Sequence, residues 1–218
     1  MSGILMDLFD TLKPSKQEII KDVFLLRGFA LGDSEHLLLS DLQTVTTAAP
    51  LRHMMTKMGF AMSAGMTNCG DLGWISDRKG YRYDGQNPQT NKPWPNMPPS
   101  FLRLATSAAA ECGYFDFVSD ACLINQYKVG ASMGLHQDKN EQDFTQPIVS
   151  VSLGIPATFQ FGGLKRSDKT LKIPLKHGDV VVWGGEARLK FHGIMPLKAN
   201  LHQVLCAYRY NLTFRKAG

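Results

Sequence analysis

The sequence contains few cysteines, and their spacing excludes one class of fold. Among the 218 residues there are only four, at positions 69, 112, 122 and 206, and none forms a Cys-x-x-Cys pair. This spacing argues against a small domain held together by disulfides. We interpret all four as reduced, mostly buried thiols, and therefore expect a cytoplasmic protein.

Long apolar segments are absent as well. No hydrophobic run approaches the roughly 18–20 residues that a membrane-spanning helix needs, so we expect no membrane partner. Residues 1–10 are partly acidic and lack the basic stretch that begins a signal peptide. The sequence shows no internal repeat, linker or low-complexity segment. We therefore predict a single domain over residues 1–218, long enough for a full core and monomeric.

Neither sign of charge is scarce. Twenty-four lysines and arginines stand against 19 aspartates and glutamates, which gives a net charge of +5 and a pI of about 9.0. A mildly basic surface permits an anionic partner such as nucleic acid but does not require one.

A histidine and an aspartate two residues apart are the strongest chemical signal. His136 and Asp138 would point the same way in an extended segment, so that they could share one cavity. His192 lies far enough along the chain to return beside them. Two imidazoles and one carboxylate form the facial triad of non-haem Fe(II) oxygenases, which leaves coordination positions open. Such a pair also occurs by chance, and the alternative is a surface histidine or one satisfied in the core.

The last predicted strand supports the metal interpretation. Alternation over residues 207–215 places Arg209, Asn211, Thr213 and Arg215 on one face and apolar or aromatic residues on the other. An exposed basic face is the simpler explanation. The alternative is an inward pocket for a dicarboxylate, because arginine binds carboxylates in bidentate fashion.

Hydrophobic periodicity predicts two helices within a mainly β chain. One helix is capped by Asp33 and Ser34 and runs to about Thr47, and another covers residues 100–112 with Gly113 after its end. Residues 1–20 are expected to be loosely structured. The predicted strands cover residues 23–27, 121–127, 148–153, 157–161, 170–175, 179–183, 189–194 and 203–215. This succession predicts a double-sheet jelly roll, also called a double-stranded β-helix, with flanking helices.

Residues 52–99 differ in composition from the rest, and we expect short strands and hairpins there. The segment is rich in methionine, glycine and proline, with aromatic and basic residues interleaved. For most of these residues a methionine-rich packing layer with a solvated rim is the better explanation. For Trp74, Tyr81 and Arg82 the alternative is a lid that stacks on bases and contacts phosphates.

Several motifs together resemble the AlkB family of Fe(II)/2-oxoglutarate-dependent nucleic-acid demethylases, over nearly the whole chain. The histidines and aspartate above are joined by RYNLTFR at 209–215, MTNCG at 66–70, Gly73-Trp74, PQTNKPWP at 88–95, ACLIN at 121–125, FQFGGLKR at 159–166 and HGDVVVWGG at 177–185. The resemblance implies an extension and helix over residues 1–50, a nucleotide-recognition lid over 51–99, and a helix with the jelly-roll core over 100–218.

The resemblance also implies a role for each matching residue. His136, Asp138 and His192 would bind Fe(II) and form the catalytic centre. Co-substrate contacts would be Arg209, Tyr127 and Asn211 at the distal carboxylate of 2-oxoglutarate, and Asn125 and Arg215 at its chelating end. Substrate contacts would be Trp74 with His136 around the flipped base, Tyr81 on the backbone, Arg166 on the base or a phosphate, and Met66, Ser150 and Trp183 along the cavity.

One position departs from the family pattern. Where the family has an aspartate close to the base, this chain has Asn140, which keeps an acceptor but loses the charge. The order of preference among methylated bases is therefore left undecided, whereas the predicted reaction is unaffected. Glu141 beside it is a candidate to supply the missing charge, but its side chain would point the other way in an extended segment.

The implied activity is oxidative demethylation of N-alkylated bases such as 1-methyladenine and 3-methylcytosine in single- or double-stranded DNA, or in RNA. It would consume 2-oxoglutarate and O2 and release formaldehyde, succinate and CO2. The alternative is a 2-oxoglutarate-dependent hydroxylase of a non-nucleic-acid substrate, which would share the metal and co-substrate residues and differ in the lid. A binding module with a vestigial site and a purely structural jelly roll are the remaining alternatives.

Overall fold

A computed structural model describes residues 15–32 and 35–218. Within them lie two α-helices, α1 (Glu35–Ala48) and α2 (Pro99–Glu111), and a short 3-10 helix (Gly185–Ala187). Neither α-helix is long and apolar enough to cross a membrane. The strands are β1 (Ser15–Ile20), β2 (Val23–Arg27), β3 (Gly65–Gly70), β4 (Gly73–Asp77), β5 (Gly80–Asp84), β6 (Gln86–Asn87), β7 (Lys92–Pro93), β8 (Ala121–Tyr127), β9 (Met133–His136), β10 (Ile148–Gly154), β11 (Ala157–Phe161), β12 (Leu171–Leu175), β13 (Val180–Trp183), β14 (His192–Ile194) and β15 (Arg209–Arg215).

Two antiparallel sheets form the predicted jelly roll. The major sheet has seven strands in the order β1-β2-β13-β10-β15-β8-β3, and the minor sheet has four in the order β12-β11-β14-β9. Apolar side chains from both sheets form one core between them, including Trp183 from the major sheet and Phe159 from the minor sheet. The mainly β fold with flanking helices is as the sequence predicted.

A second core lies on the other face of the major sheet, under the two helices. Leu38, Leu42 and Val45 of α1 and Phe101 of α2 are buried against it, together with Phe214 of β15. The rings of Phe101 and Phe214 meet edge to face, with 6.0 Å between their centroids. The periodic apolar residues that predicted these helices are therefore the ones that each helix buries against the sheet.

The central strand β10 shows how burial on both sides shapes the site. All seven of its residues are buried. Val149 and Val151 belong to the core under the helices, whereas Ser150 and Ser152 alternate with them and face the interior between the sheets. Directly opposite Ser152 on β15 is Asn211, and opposite Ser150 is Thr213. The interior face of the major sheet is thus polar where the two strands run side by side.

Several predicted boundaries need correction. Residues 15–20 were expected to be loose, but they form β1, which pairs with β2 and extends the major sheet. Residues 203–208 were expected to extend the last strand, but the backbone turns there, and Cys206 has a φ of 51°. Residues 189–191 also lie outside β14, and β9 is a strand that the sequence analysis did not predict. The cap predicted at residues 33–34 lies outside the described residues.

The segment that we predict as a lid contains short strands and hairpins, as expected. Its first strand, β3, pairs with β8 at the edge of the major sheet, while β4 and β5 form a separate hairpin beside it. Gly73 at the start of β4 has no side chain for a steric reason, because a Cβ there would lie 2.3 Å from the indole of Trp94. That indole donates to the carbonyl of Asp84, so the two ends of the hairpin are held together.

Candidate active site

The predicted triad converges between the two sheets. His136 ends β9, and β14 pairs with β9 so that His192 lies directly opposite His136. The two imidazole centroids are 4.4 Å apart. Asp138 Oδ1 lies 3.8 Å from His136 Nε2, and its Oδ2 lies 3.6 Å from His192 Nε2. All three side chains therefore offer a ligand atom within 4.8 Å of the others.

Backbone carbonyls orient both imidazoles. The Nδ1 atom of His136 lies 2.9 Å from the carbonyl oxygen of Gly134, and that of His192 lies 3.1 Å from the carbonyl oxygen of Lys190. A carbonyl only accepts, so Nδ1 carries a proton in each ring, and Nε2 is the ring nitrogen that faces Asp138. Burial, and then the neighbouring His192, lower the pKa of His136 to about 4, so this ring is neutral at physiological pH.

The carboxylate of Asp138 is ionised and accepts hydrogen bonds from Arg215. Burial alone would raise its pKa, but the adjacent Arg215 and the two imidazoles outweigh burial and hold the pKa of Asp138 well below its usual value. Arg215 donates to Oδ2 from Nη2 at 2.8 Å and from Nε at 3.1 Å. Two imidazoles and one anionic oxygen ligand suit Fe(II), so the residues present fit that metal.

A cavity of about 610 Å³ opens onto the triad. This volume is that of a small-molecule site. Of the residues that the sequence assigned to the metal, the co-substrate and the substrate, all but Arg209 line the cavity: Met66, Trp74, Tyr81, Asn125, Tyr127, His136, Asp138, Asn140, Ser150, Arg166, Trp183, His192, Asn211 and Arg215.

The polar face of β15 points inward rather than to solvent. Arg209 is only 1% exposed, and Asn211, Thr213 and Arg215 are also buried. This orientation excludes the exposed basic face that was the simpler interpretation. The amide of Asn211 donates to Ser150 Oγ at 2.8 Å and to the carbonyl of Val151 at 2.9 Å, which fixes it within the sheet.

Arg209 carries buried hydrogen-bond donors without acceptors. Its Nη2 donates to Ser152 Oγ at 2.8 Å, and its guanidinium lies 5.2 Å from the ring centroid of Tyr127. Its Nε and Nη1 have no partner among the described residues, and the same holds for the side-chain oxygen of Asn125. Buried donors without acceptors are costly, so they mark a place where a ligand supplies the acceptor. A carboxylate of 2-oxoglutarate fits this requirement.

The hairpin β4–β5 places aromatic residues on the cavity. Trp74 and Tyr81 stack with their ring centroids 5.6 Å apart and 14° between the planes. The side chain of Asn68 binds both backbone groups of Trp74, each at 3.0 Å, and so fixes its position. Arg82 faces away from this stack and pairs with Asp77 through two contacts of 3.0 Å. The phosphate contact considered for Arg82 therefore has a competing partner.

The remaining predicted substrate residues surround the cavity in different ways. Arg166 lies over the ring of Phe191, 5.3 Å from its centroid. Trp183 packs edge-on against His192 with 4.9 Å between centroids, and its indole nitrogen is buried without a partner among the described residues. Asn140 lines the cavity beside Lys139.

Sequence reasoning missed the contacts of three residues behind the triad. Glu141 does not line the cavity, in agreement with the expected orientation, but it is buried and contacts Tyr83, Arg188 and Arg215. Strand alternation would have placed Tyr83 on the same face as Tyr81. Nothing in the sequence pattern marks Arg188, which follows the short 3-10 helix.

The fold and the triad define a class of enzyme. A jelly roll with two histidines and an aspartate at one end of its interior, beside a buried arginine, is the arrangement of an iron-dependent oxygenase that uses a 2-oxo acid. Residues 22–215 match the sequence profile of the 2OG-Fe(II) oxygenase superfamily. The enzyme is therefore an Fe(II)/2-oxoglutarate-dependent dioxygenase, which uses Fe(II), 2-oxoglutarate and O2.

Comparison with individual proteins defines the family. The chain is 54% identical over 214 residues to the alpha-ketoglutarate-dependent dioxygenase AlkB of Escherichia coli (strain K12), covering 98% of this chain and 99% of that protein. It is 29% identical to the DNA N(6)-methyladenine demethylase ALKBH1A of Arabidopsis thaliana, covering 88% and 52%. The solved structure of OsALKBH1 superposes with a TM-score of 0.80 at 26% identity, covering 93% of this chain and all of that one. The chain belongs to the AlkB family.

Proposed function

We propose that this protein repairs alkylated nucleic acid by oxidative demethylation of bases such as 1-methyladenine and 3-methylcytosine. The observation that carries the proposal is the composition of one cavity. An aromatic stack that suits a base, basic side chains that suit phosphates and the triad that suits Fe(II) all line it. A methyl group on a base edge is out of reach inside a duplex, so the nucleotide enters such a cavity only after it is flipped out.

The proposed co-substrate site is built from β8 and β15. Arg209, supported by Tyr127, would bind the distal carboxylate of 2-oxoglutarate with the two donors that have no acceptor among the described residues. Asn125 and Arg215 would hold the end nearest Asp138, and Asn211 would keep this part of the strand fixed through its bonds to β10. Fe(II) held by the triad would, with 2-oxoglutarate and O2, supply the chemistry that oxidises the methyl carbon. The methyl carbon would leave as formaldehyde, and 2-oxoglutarate would be converted to succinate and CO2.

The proposed substrate contacts lie around the rest of the cavity. Trp74 would stack on one side of the flipped base, and His136 would lie on the other. Stacking returns about 1–3 kcal/mol per base, which offsets part of the few kcal/mol that flipping costs. Tyr81 would contact the nucleic-acid backbone and Arg166 the base or a phosphate, and the cavity wall would be completed by Met66, Asn140, Ser150 and Trp183.

The test is product analysis on defined lesions. The protein would be incubated with Fe(II), 2-oxoglutarate and oligonucleotides that carry one 1-methyladenine or 3-methylcytosine, as single strands, duplexes or RNA, and then exposed to O2. We expect mass spectrometry to show loss of the methyl group, with matching succinate and formaldehyde. Asp138→Ala and reactions without 2-oxoglutarate are the controls. Oxygen-dependent succinate formation with another substrate, and unchanged oligonucleotides, would instead establish the hydroxylase alternative.

A further inference from the structure

A buried cluster of charges lies behind the carboxylate of the triad. Glu141 is 6% exposed and accepts a hydrogen bond of 2.6 Å from the hydroxyl of Tyr83. Its two oxygens also lie 3.4 Å from Arg215 Nε and 3.2 Å from Arg188 Nη2. Arg215 in turn contacts the side chain of Asp138, and Arg188 donates to the backbone carbonyl of Asp138 at 2.9 Å. Glu141 therefore sits between the two arginines that hold Asp138.

Tyr83 connects this cluster to the hairpin. It lies on β5 directly opposite Trp74 on β4, so its side chain shares the face that carries the aromatic stack. Glu141 is 58 positions further along the chain, in the segment after β9. Burial raises the pKa of Tyr83, so its hydroxyl keeps its proton and donates. One bond thus joins the surface proposed to receive the base to the residues that hold the metal-binding carboxylate.

From this connection we infer that Glu141 is a positioning residue that couples the β4–β5 hairpin to Asp138. The hydroxyl of Tyr83 fixes Glu141, Glu141 fixes Arg215, and Arg215 orients the carboxylate. A hairpin seated on the cavity would therefore favour the orientation of Asp138 that binds metal. The inference rests on the metal site named in the proposed function, and it adds a route by which substrate binding and metal binding influence one another.

A purely structural role for Glu141 makes a different prediction. The cluster contains two carboxylates and two guanidinium groups, so loss of one member leaves an uncompensated buried charge and destabilises the fold. Lower stability alone would therefore prove nothing. Coupling between two sites is reciprocal in binding free energy: if the hairpin biases Asp138, metal bound at Asp138 must restrain the hairpin by the same factor. That reciprocity separates the two roles.

The first experiment measures hydrogen–deuterium exchange of residues 73–84 with and without Mn(II), which takes the same ligand types as Fe(II) without reacting. In the wild-type protein we expect Mn(II) to slow exchange in the hairpin. Tyr83→Phe removes one hydroxyl and leaves the charged cluster intact, and we expect it to abolish this effect of Mn(II). Tyr208→Phe, at an exposed position outside the hairpin, is the matched control. Hairpin protection by Mn(II) that survives in Tyr83→Phe would overturn the inference.

The second experiment measures Mn(II) affinity by titration. Loss of a residue that orients a metal ligand typically costs about 10- to 100-fold in affinity, which is our expectation for Glu141→Gln. We expect a weakening of about fivefold or more for Tyr83→Phe, the lower end of typical coupling between sites. Glu111→Gln, at an exposed position at the end of α2, is the control. Unchanged affinity in Tyr83→Phe would refute the coupling, whereas wild-type protein that binds no Mn(II) would refute the metal site itself.

Discussion

Replacing Arg209 by methionine should leave the protein without ligand equally or more stable and its co-substrate site much weaker. The guanidinium is 1% exposed and has two donors without partners in the described part of the chain. An isolated buried charge is unfavourable, and replacing buried charged groups by apolar side chains of similar volume is often neutral or stabilising by about 1–4 kcal/mol. We therefore expect the free energy of unfolding of the unliganded protein to stay level or rise by an amount of that order.

The loss of affinity can be estimated from the same two donors. Each hydrogen bond between charged groups contributes about 1.5–3 kcal/mol, so removal of two costs about 3 kcal/mol or more. Because about 1.4 kcal/mol corresponds to a factor of ten, 2-oxoglutarate should bind at least about 100-fold more weakly. At a concentration of about 100 times the wild-type Kd, the ligand stabilises the wild-type protein by about 2.7 kcal/mol but should stabilise the variant by only about 0.4 kcal/mol.

Chemical denaturation of both proteins, loaded with Mn(II) and with or without 2-oxoglutarate, measures both quantities at once. Arg103→Met on the exposed side of α2 is the matched control and should change neither. The KM for 2-oxoglutarate with Fe(II) gives an independent measure of the co-substrate site. The reasoning fails if Arg209→Met lowers the stability of the unliganded protein by more than about 2 kcal/mol, since typical losses of that size follow from breaking a satisfied contact. An unchanged KM would refute the assigned role.

Three further predictions concern the triad and the residue beside it. Alanine at His136, Asp138 or His192 should abolish turnover and Mn(II) binding, because each provides one of three ligands; normal turnover in any of them would remove the assignment. Without metal, stability should fall as the pH falls from about 6.5, the usual pKa of histidine, toward about 4, the lowered pKa of His136, since the unfolded chain binds the proton first. The free energy of unfolding of His136→Gln, measured by denaturation, should depend less on pH. Asn140→Asp should raise the rate on cationic 1-methyladenine relative to neutral methylated bases, measured in one competition assay, and equal ratios would exclude Asn140 as a selector.

The fold was predictable where burial is periodic. The stripe of Leu38, Leu42 and Val45 predicted α1, which buries one face. Alternation of apolar and polar residues predicted β15, because one of its faces packs under the helices and the other points to the cavity, although both are buried. Prediction failed where pairing decides the conformation. The strand β1 is mostly exposed and exists through its pairing with β2, which no local pattern reports. The backbone turns before Arg209, where the Tyr208 N–H donates to the carbonyl of Leu205 at 3.1 Å and the carbonyl of Tyr208 packs against Gly154, which has a φ of 89°.

The site was predictable from residue chemistry more than from position. Alternation on β15 gave two possible orientations for its arginines, and only the tertiary structure shows that they face inward. The contacts of Glu141 could not be predicted, because its three partners come from β5, from the segment after the 3-10 helix and from β15. A buried ion cluster assembled from distant segments leaves no periodic trace, because its contacts join residues of β5, β15 and two loops that no local pattern relates to one another.

The neighbours Asn140 and Glu141 have separate roles: Asn140 lines the cavity where the base would bind, and Glu141 contacts the arginines that hold Asp138. Among the described residues that line the cavity, Asp138 is the only acidic one, and Arg215 already pairs with it. A cationic methylated base therefore meets no free carboxylate there. A carboxylate about 4 Å from such a base would contribute about 1–4 kcal/mol, according to the local dielectric, or about fivefold and upward in binding. Glu141 cannot supply it, because it does not line the cavity and its oxygens lie beside Arg215 and Arg188 behind Asp138. A substitution at position 140 can therefore change the preference for charged or neutral bases without disturbing the groups that hold the metal. A substitution at position 141 would disturb those groups.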